Sequence, residues 1–184
     1  PDSVLVVTPA DHYVKDLHQF TRAMHEAIKA AKCKTIVTLG INPTRPDTGF
    51  GYIHYEGNAG VKNVLTFKEK PELEAAKQMI EQGQHAWNGG MFIMQSQTWL
   101  YAIQQKNPKI YTPIEKAWQN KNKDQWFERP DAELFKQSPS DSIDYAVMEK
   151  LQEFKVDVKL VVLNAGWSDL GSFDALDEIE EKDS

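Results

Sequence analysis

The sequence contains one cysteine, Cys33, in 184 residues. A lone thiol excludes an intramolecular disulfide framework and fits a reducing compartment. No apolar run approaches the roughly 20 residues of a membrane-spanning helix. The opening stretch, PDSVLVVTPADH, lacks the basic and apolar regions of a secretory signal. The expected location is therefore cytoplasmic. Cations are outnumbered, with 21 Lys and Arg against 27 Asp and Glu, for a formal charge of −6. That balance argues against nucleic acid and against a membrane surface as partners. It leaves small anionic substrates open, because a local cation cluster or a bound metal can override net charge. No repeat, low-complexity tract or linker is visible, so one domain over 1–184 is expected. No nucleophile–base signature stands out, and His12 has no second His or Cys at zinc-ligand spacing.

What is present is an alternation of strands and helices. The chain is 41% hydrophobic and 26% charged, ordinary for a domain with a sizeable core. VLVVTPAD reads as a buried strand ended by Pro9. Leu17, Phe20, Met24, Ala27, Ile28 and Ala31 recur at helical spacing behind Asp16, a candidate N-cap. KTIVTLG is a second strand, and NPTRPDTGFG is a loop. YIHYEG and VKNVLTF flank NAG as a hairpin. Pro71 suits the first turn of a helix that runs to Gly83. GGMFIMQS and VDVKLVVLN read as strands. Residues 99–151 read as mostly helical, with breaks at Pro108, Pro113, Pro130 and Pro139, and Ser172 begins a closing helix. The pattern predicts an α/β layer with a mixed, mostly parallel sheet.

In such sheets ligands bind beyond the carboxyl ends of the strands. Asp11 and His12 follow the first strand, Glu69 and Lys70 the strand from Val61, and Asp169 the last strand. A carboxylate accepts hydrogen bonds from adjacent hydroxyls, and a neighbouring ammonium neutralises a phosphate. Taken alone, Lys68-Glu69-Lys70 is more commonly a solvated turn, and Asp11 and Asp169 are more commonly turn or cap residues. Two carboxylates at neighbouring strand ends would instead suit Mg2+. His12 either orients Asp11 or is a structural histidine. Gly49 and Gly51 allow close backbone approach to a ligand. Asn88 suits either a sugar hydroxyl or a turn before Gly89 and Gly90, while Trp87 and Trp167 read as packing on the sheet. In SIDYAVMEK, Ile143, Val147 and Met148 face the core; Ser142 or Asp144 caps a helix, or Asp144 reaches the ligand.

TPADHYV, TLGINPTRPDTGFGYI, FKEKP, WNGGMFI, SIDYAVMEK and WSDLGSF occur here in the order found in sugar-1-phosphate nucleotidyltransferases. The whole chain resembles that family, and most of all its bacterial mannose-1-phosphate guanylyltransferases. Lys68 stands where Val is commoner and Gly89 where Ser is usual. The resemblance implies a Rossmann-like fold and Mg2+-dependent transfer of a guanylyl group from GTP to mannose 1-phosphate. It assigns Glu69 to hexose hydroxyls, Lys70 to the phosphate and Asp11 and Asp169 to the metal. It also places backbone contacts to the sugar at Gly49 and Gly51, beside Asn88 and Asp144 as candidate sugar ligands. The family's G-G-x-G-x-R nucleotide loop does not occur in this sequence. The expectation is thus a partial domain with little activity by itself and a sheet edge open to pairing with another chain. A uridylyl- or thymidylyltransferase for glucose 1-phosphate, and a non-catalytic sugar-phosphate-binding homologue, are the alternatives.

Overall fold

The computed structural model describes residues 2–153 and 156–170. Strand β1 (Val4–Val7) leads through a loop to the two-residue β2 (Tyr13–Val14). Helix α1 (Leu17–Ala31) follows, and the Asp16 carboxylate caps it by accepting from the amides of His18 and Gln19. Next come β3 (Ile36–Ile41), the hairpin β4 (Tyr52–Glu56) and β5 (Lys62–Lys68), α2 (Leu73–Gln82) and the long β6 (His85–Gln95). The helical region comprises α3 (Ser96–Lys106), α4 (Pro108–Gln119), α5 (Ala132–Phe135) and α6 (Ile143–Ala146), with a 3-10 segment over Met148–Glu153. A small hairpin, β7 (Asn122–Lys123) and β8 (Glu128–Arg129), interrupts it. Strands β9 (Val158–Leu163) and β10 (Trp167–Ser168) complete the described chain.

The main sheet has the order β1-β6-β3-β9-β5-β4, and β4 also pairs with β6. The pairings β3–β9–β5–β4–β6–β3 therefore close a ring, with β1 outside it on β6. Both faces are covered. Val37, Leu39 and Ile41 of β3 join Met91 and Ile93 of β6 and Val161 and Leu163 of β9 beneath α1. The alternate residues Ile36, Phe92, Met94 and Leu160 join Ala102, Ile103, Ala146, Val147 and Met148 on the other face. This period-two division follows from the pleat. Gly40 fits the ring because a Cβ there would stand 2.5 Å from Leu160 Cδ1 and 2.8 Å from Ala86 Cβ.

The expected α/β class and mixed sheet are observed. Parallel pairing is confined, among the described residues, to β3–β9; the other pairings of the main sheet are antiparallel. The reason is β6, which runs antiparallel to β1, β3 and β4. It also begins earlier than GGMFIMQS suggests, since HAWN pairs with β4 and the end of β3. Pro113 lies inside α4 instead of ending it; it has no N–H to donate to the Lys109 carbonyl one turn back, where the chain is exposed. Pro71 precedes α2 by two residues, while Gly83 caps it with a left-handed φ of 69°. The expected helix from Ser172 lies outside the described residues. The β1 edge exposes Val6 and Val7.

Candidate functional site

Four segments converge on one cleft of about 220 Å³. Gly49, Phe50 and Gly51 come from the loop before β4, Glu69 and Lys70 from the end of β5, Asn88 and Gly90 from β6, and Asp144 from α6. Pro9, His12, Trp167 and Asp169 form the remaining wall. A second polar cleft of about 300 Å³ abuts it across Phe50, Trp167 and Asp169 and contains Arg45 and Asn164. An apolar cleft of about 510 Å³ lies between α3 and α4; Glu115 is the one charged residue in its lining.

Local irregularities aim the side chains. Asn88 opposes Gly40 and Phe92 opposes Thr38, so β6 bulges between them, with Gly90 at a φ of 66°. The bulge is locked by Asn88 Oδ1, which accepts from the Gly90 amide at 3.1 Å and from Thr38 Oγ1 at 3.4 Å. Asn88 Nδ2 then donates to Asp144 Oδ1 at 2.8 Å. Ser142, not Asp144, caps α6 by accepting from the Tyr145 amide at 3.3 Å. Asp144 lines the cleft instead.

Glu69 is the centre of the arrangement. Its side chain is 10% exposed, and Oε2 is buried with no hydrogen-bond partner. Burial, reinforced by Asp144, raises its pKa above 4.5; Lys70 opposes the shift and Glu149 adds to it. Asp144 is also pushed up, again mainly by burial, although the Asn88 amide and Lys70 favour its charged form. Lys70 Nζ lies 3.9 Å from Glu69 Oε1, with the lysine side chain 58% exposed. The Lys70 backbone is left-handed, φ 42°, a region non-glycine residues seldom occupy. Gly51 makes room for the carboxylate: a Cβ there would stand 2.4 Å from Glu69 Oε2.

Asp169 lines the cleft as expected; Asp11 does not, being exposed on the loop after β1. His12 takes that place. The Trp167 indole donates to His12 Nδ1 at 3.1 Å, which puts the imidazole proton on Nε2. Trp87 is buried in the core, as the packing reading requires, whereas Trp167 is half-buried at the cleft wall. No group of three or more His, Cys, Asp or Glu suited to a metal occurs among the described residues. Mg2+ needs less than that, since it keeps several waters and takes one or two carboxylates plus substrate phosphate oxygens. The Asp169 carboxylate in the cleft fits that donor chemistry. Sequence reasoning missed Phe50, Gly90, Pro9 and Glu149. Glu149 accepts from the Glu69 amide across 80 residues of sequence, a relation no local pattern signals.

The α/β sheet thus gathers carboxylates, an amide and an ammonium in one cleft, chemistry that suits a polar, charged ligand. The nucleotidyl transferase family model matches residues 1–184, and the chain belongs to that family. Nucleotidyltransferases of this family generally use a divalent metal. The chain is 41% identical over 182 residues to the xanthan biosynthesis protein XanB of Xanthomonas campestris pv. campestris (strain B100), covering 99% of this chain and 38% of that protein. It is 42% identical over 185 residues to a putative mannose-1-phosphate guanylyltransferase of Vibrio cholerae serotype O1, covering 100% of this chain and 39% of that one. A solved structure described as a mannose-1-phosphate geranyltransferase from Thermus thermophilus superposes with a TM-score of 0.84 at 31% identity, covering 98% of this chain and 50% of that one. The chain thus spans less than half the length of these curated relatives. No described helix is long and apolar enough to cross a membrane.

Proposed function

We propose that the protein carrying this chain is a mannose-1-phosphate guanylyltransferase and that the Glu69 cleft binds its sugar phosphate. The observation that carries this reading is the buried, unpartnered Glu69 Oε2 beside the exposed Lys70 ammonium. A buried acceptor without a donor costs about 1–3 kcal/mol, more when charged, and a vicinal diol supplies the missing hydrogen bonds. In this reading Glu69 accepts from hexose hydroxyls, Asn88 and Asp144 contact further hydroxyls, and Lys70 takes the phosphate. Backbone at Gly49 and Gly51 approaches the ring closely. The similarity to mannose-1-phosphate guanylyltransferases at about 40% identity supplies the choice of mannose and GTP.

The reaction is a direct displacement. A mannose 1-phosphate oxygen forms the new bond to the α-phosphorus of GTP, the α–β bridging bond breaks, and pyrophosphate leaves. The attacking phosphate has a second pKa of about 6, so it is already ionised near neutral pH and needs no general base. Catalysis then rests on alignment and charge neutralisation. Asp169 would hold Mg2+, which when bound would supply neutralisation of the phosphate charge. Lys70 neutralises the attacking phosphate, and Glu69 fixes the ring so that this oxygen faces the nucleotide. Pairing of another strand or chain on the open β1 edge belongs to the same reading.

The test is pyrophosphate release by the full-length protein with several sugar 1-phosphates crossed against several NTPs. Mannose 1-phosphate with GTP should give the highest kcat/KM. Faster turnover of glucose 1-phosphate with UTP or dTTP would overturn the specificity assignment.

A further inference from the structure

We infer that Glu149 is a positioning residue for this cleft: it holds the strand end that presents Glu69 and Lys70 without lining the cleft itself. The inference rests on the sugar-phosphate reading. The β4–β5 ladder ends at the pair Tyr52–Lys68, so the Glu69 amide is the first beyond the ladder. Glu149 Oε1 accepts that N–H at 3.0 Å and lies 3.5 Å from Lys68 Nζ. Carboxylate acceptors make the stronger class of hydrogen bond. The bond sits immediately before the left-handed Lys70, where the chain must be held in a sparsely populated conformation.

Glu149 is itself well anchored. Ala146, Val147 and Met148 just before it are buried in the core face that includes Phe67 of β5. Two carboxylates flank this apolar plug: Asp144 bonds Asn88 on one wall of the cleft, and Glu149 bonds the Glu69 backbone on another. One short segment therefore braces both sides of the cleft. The three charges at residues 68–70 also acquire separate tasks. Lys68 pairs with Glu149 on the outside, while Glu69 and Lys70 face the ligand. The anion acts through space too. Among the described residues, Asp144 and Glu149 favour the neutral form of Glu69 and Lys70 its charged form.

The experiment compares Glu149→Ala and Glu149→Gln in the full-length protein. Gln keeps an oxygen that can accept the Glu69 N–H but loses the charge. In Glu149→Ala, the KM for mannose 1-phosphate should rise about tenfold and the KM for GTP about twofold or less. The Glu69 amide should exchange at least about tenfold faster than in wild type. Glu149→Gln should recover most of both losses. In both variants the acid limb of kcat/KM should move to lower pH, because a neighbouring anion has been removed from Glu69. Wild-type exchange at Glu69 together with wild-type sugar KM in Glu149→Ala would overturn the inference, as would equal weakening of both substrates. If the wild-type protein released no pyrophosphate from these substrates, the functional reading would fail. Amide exchange at Glu69 would still decide the positioning role.

Discussion

Gly51→Ala isolates the fit between backbone and carboxylate. The new Cβ would stand 2.4 Å from Glu69 Oε2, 3.1 Å from Phe67 Cζ and 3.4 Å from Asn88 Cβ. Gly51 is not among the residues with positive φ, so the conflict is steric and not conformational. Restoring ordinary contact requires the Glu69 oxygen to retreat by roughly 1 Å. Overpacking of this kind costs about 1–3 kcal/mol, which for a domain of this size lowers Tm by roughly 2–10 °C. A displacement near 1 Å at a positioning group can cost about 10²-fold in rate. Thermal melts of the purified variant read the first effect, and pyrophosphate release under varied mannose 1-phosphate reads the second. The stability cost should shrink when Glu69→Ala is combined with Gly51→Ala, with a coupling of about 0.5–3 kcal/mol, because the carboxylate is the nearest clashing atom. Strict additivity, or a Gly51→Ala variant with wild-type Tm and sugar KM, would refute the reasoning.

Glu69→Gln should raise Tm by a few degrees at neutral pH while weakening sugar binding more than nucleotide binding. The sign follows from the raised carboxyl pKa: the contribution of Glu69 to stability is fully present below its ordinary value of 4.5 and is lost as pH rises through the folded-state value, a loss the variant should not show. Asn88→Ala should lower stability by about 1 kcal/mol in a denaturant titration, since the half-buried Asp144 oxygen loses its donor. Asp169→Asn should keep the fold by circular dichroism but cut turnover by roughly 10²-fold or more and shift activation to higher Mg2+; near-normal rates at limiting Mg2+ would remove it from the metal.

Much of the site was legible because its residues sit where chemistry and chain punctuation coincide. Glu69 and Lys70 follow an apolar strand and precede a proline, and the structure puts both in the cleft. Gly49, Gly51, Asn88, Asp144 and Asp169 join them there. Asp11 sits at a strand end in sequence, yet the loop after β1 turns its neighbour His12 inward, toward Trp167. Loop geometry at single-residue precision is not written in strand periodicity. The early part of β6 was hidden because His85, Asn88 and two glycines dilute its apolar pattern, and the bulge they form is a tertiary feature. Glu149 was hidden for a different reason: a carboxylate in a helical segment gives no sign that its acceptor serves a backbone 80 residues away.

The most direct measurement is a crystal structure of the protein with mannose 1-phosphate. Hexose hydroxyls should lie within about 2.5–3.0 Å of Glu69 Oε2, in the range of an O–H···O bond, with the phosphate against Lys70 Nζ. A bound sugar phosphate elsewhere, with Glu69 Oε2 still unpartnered, would contradict this.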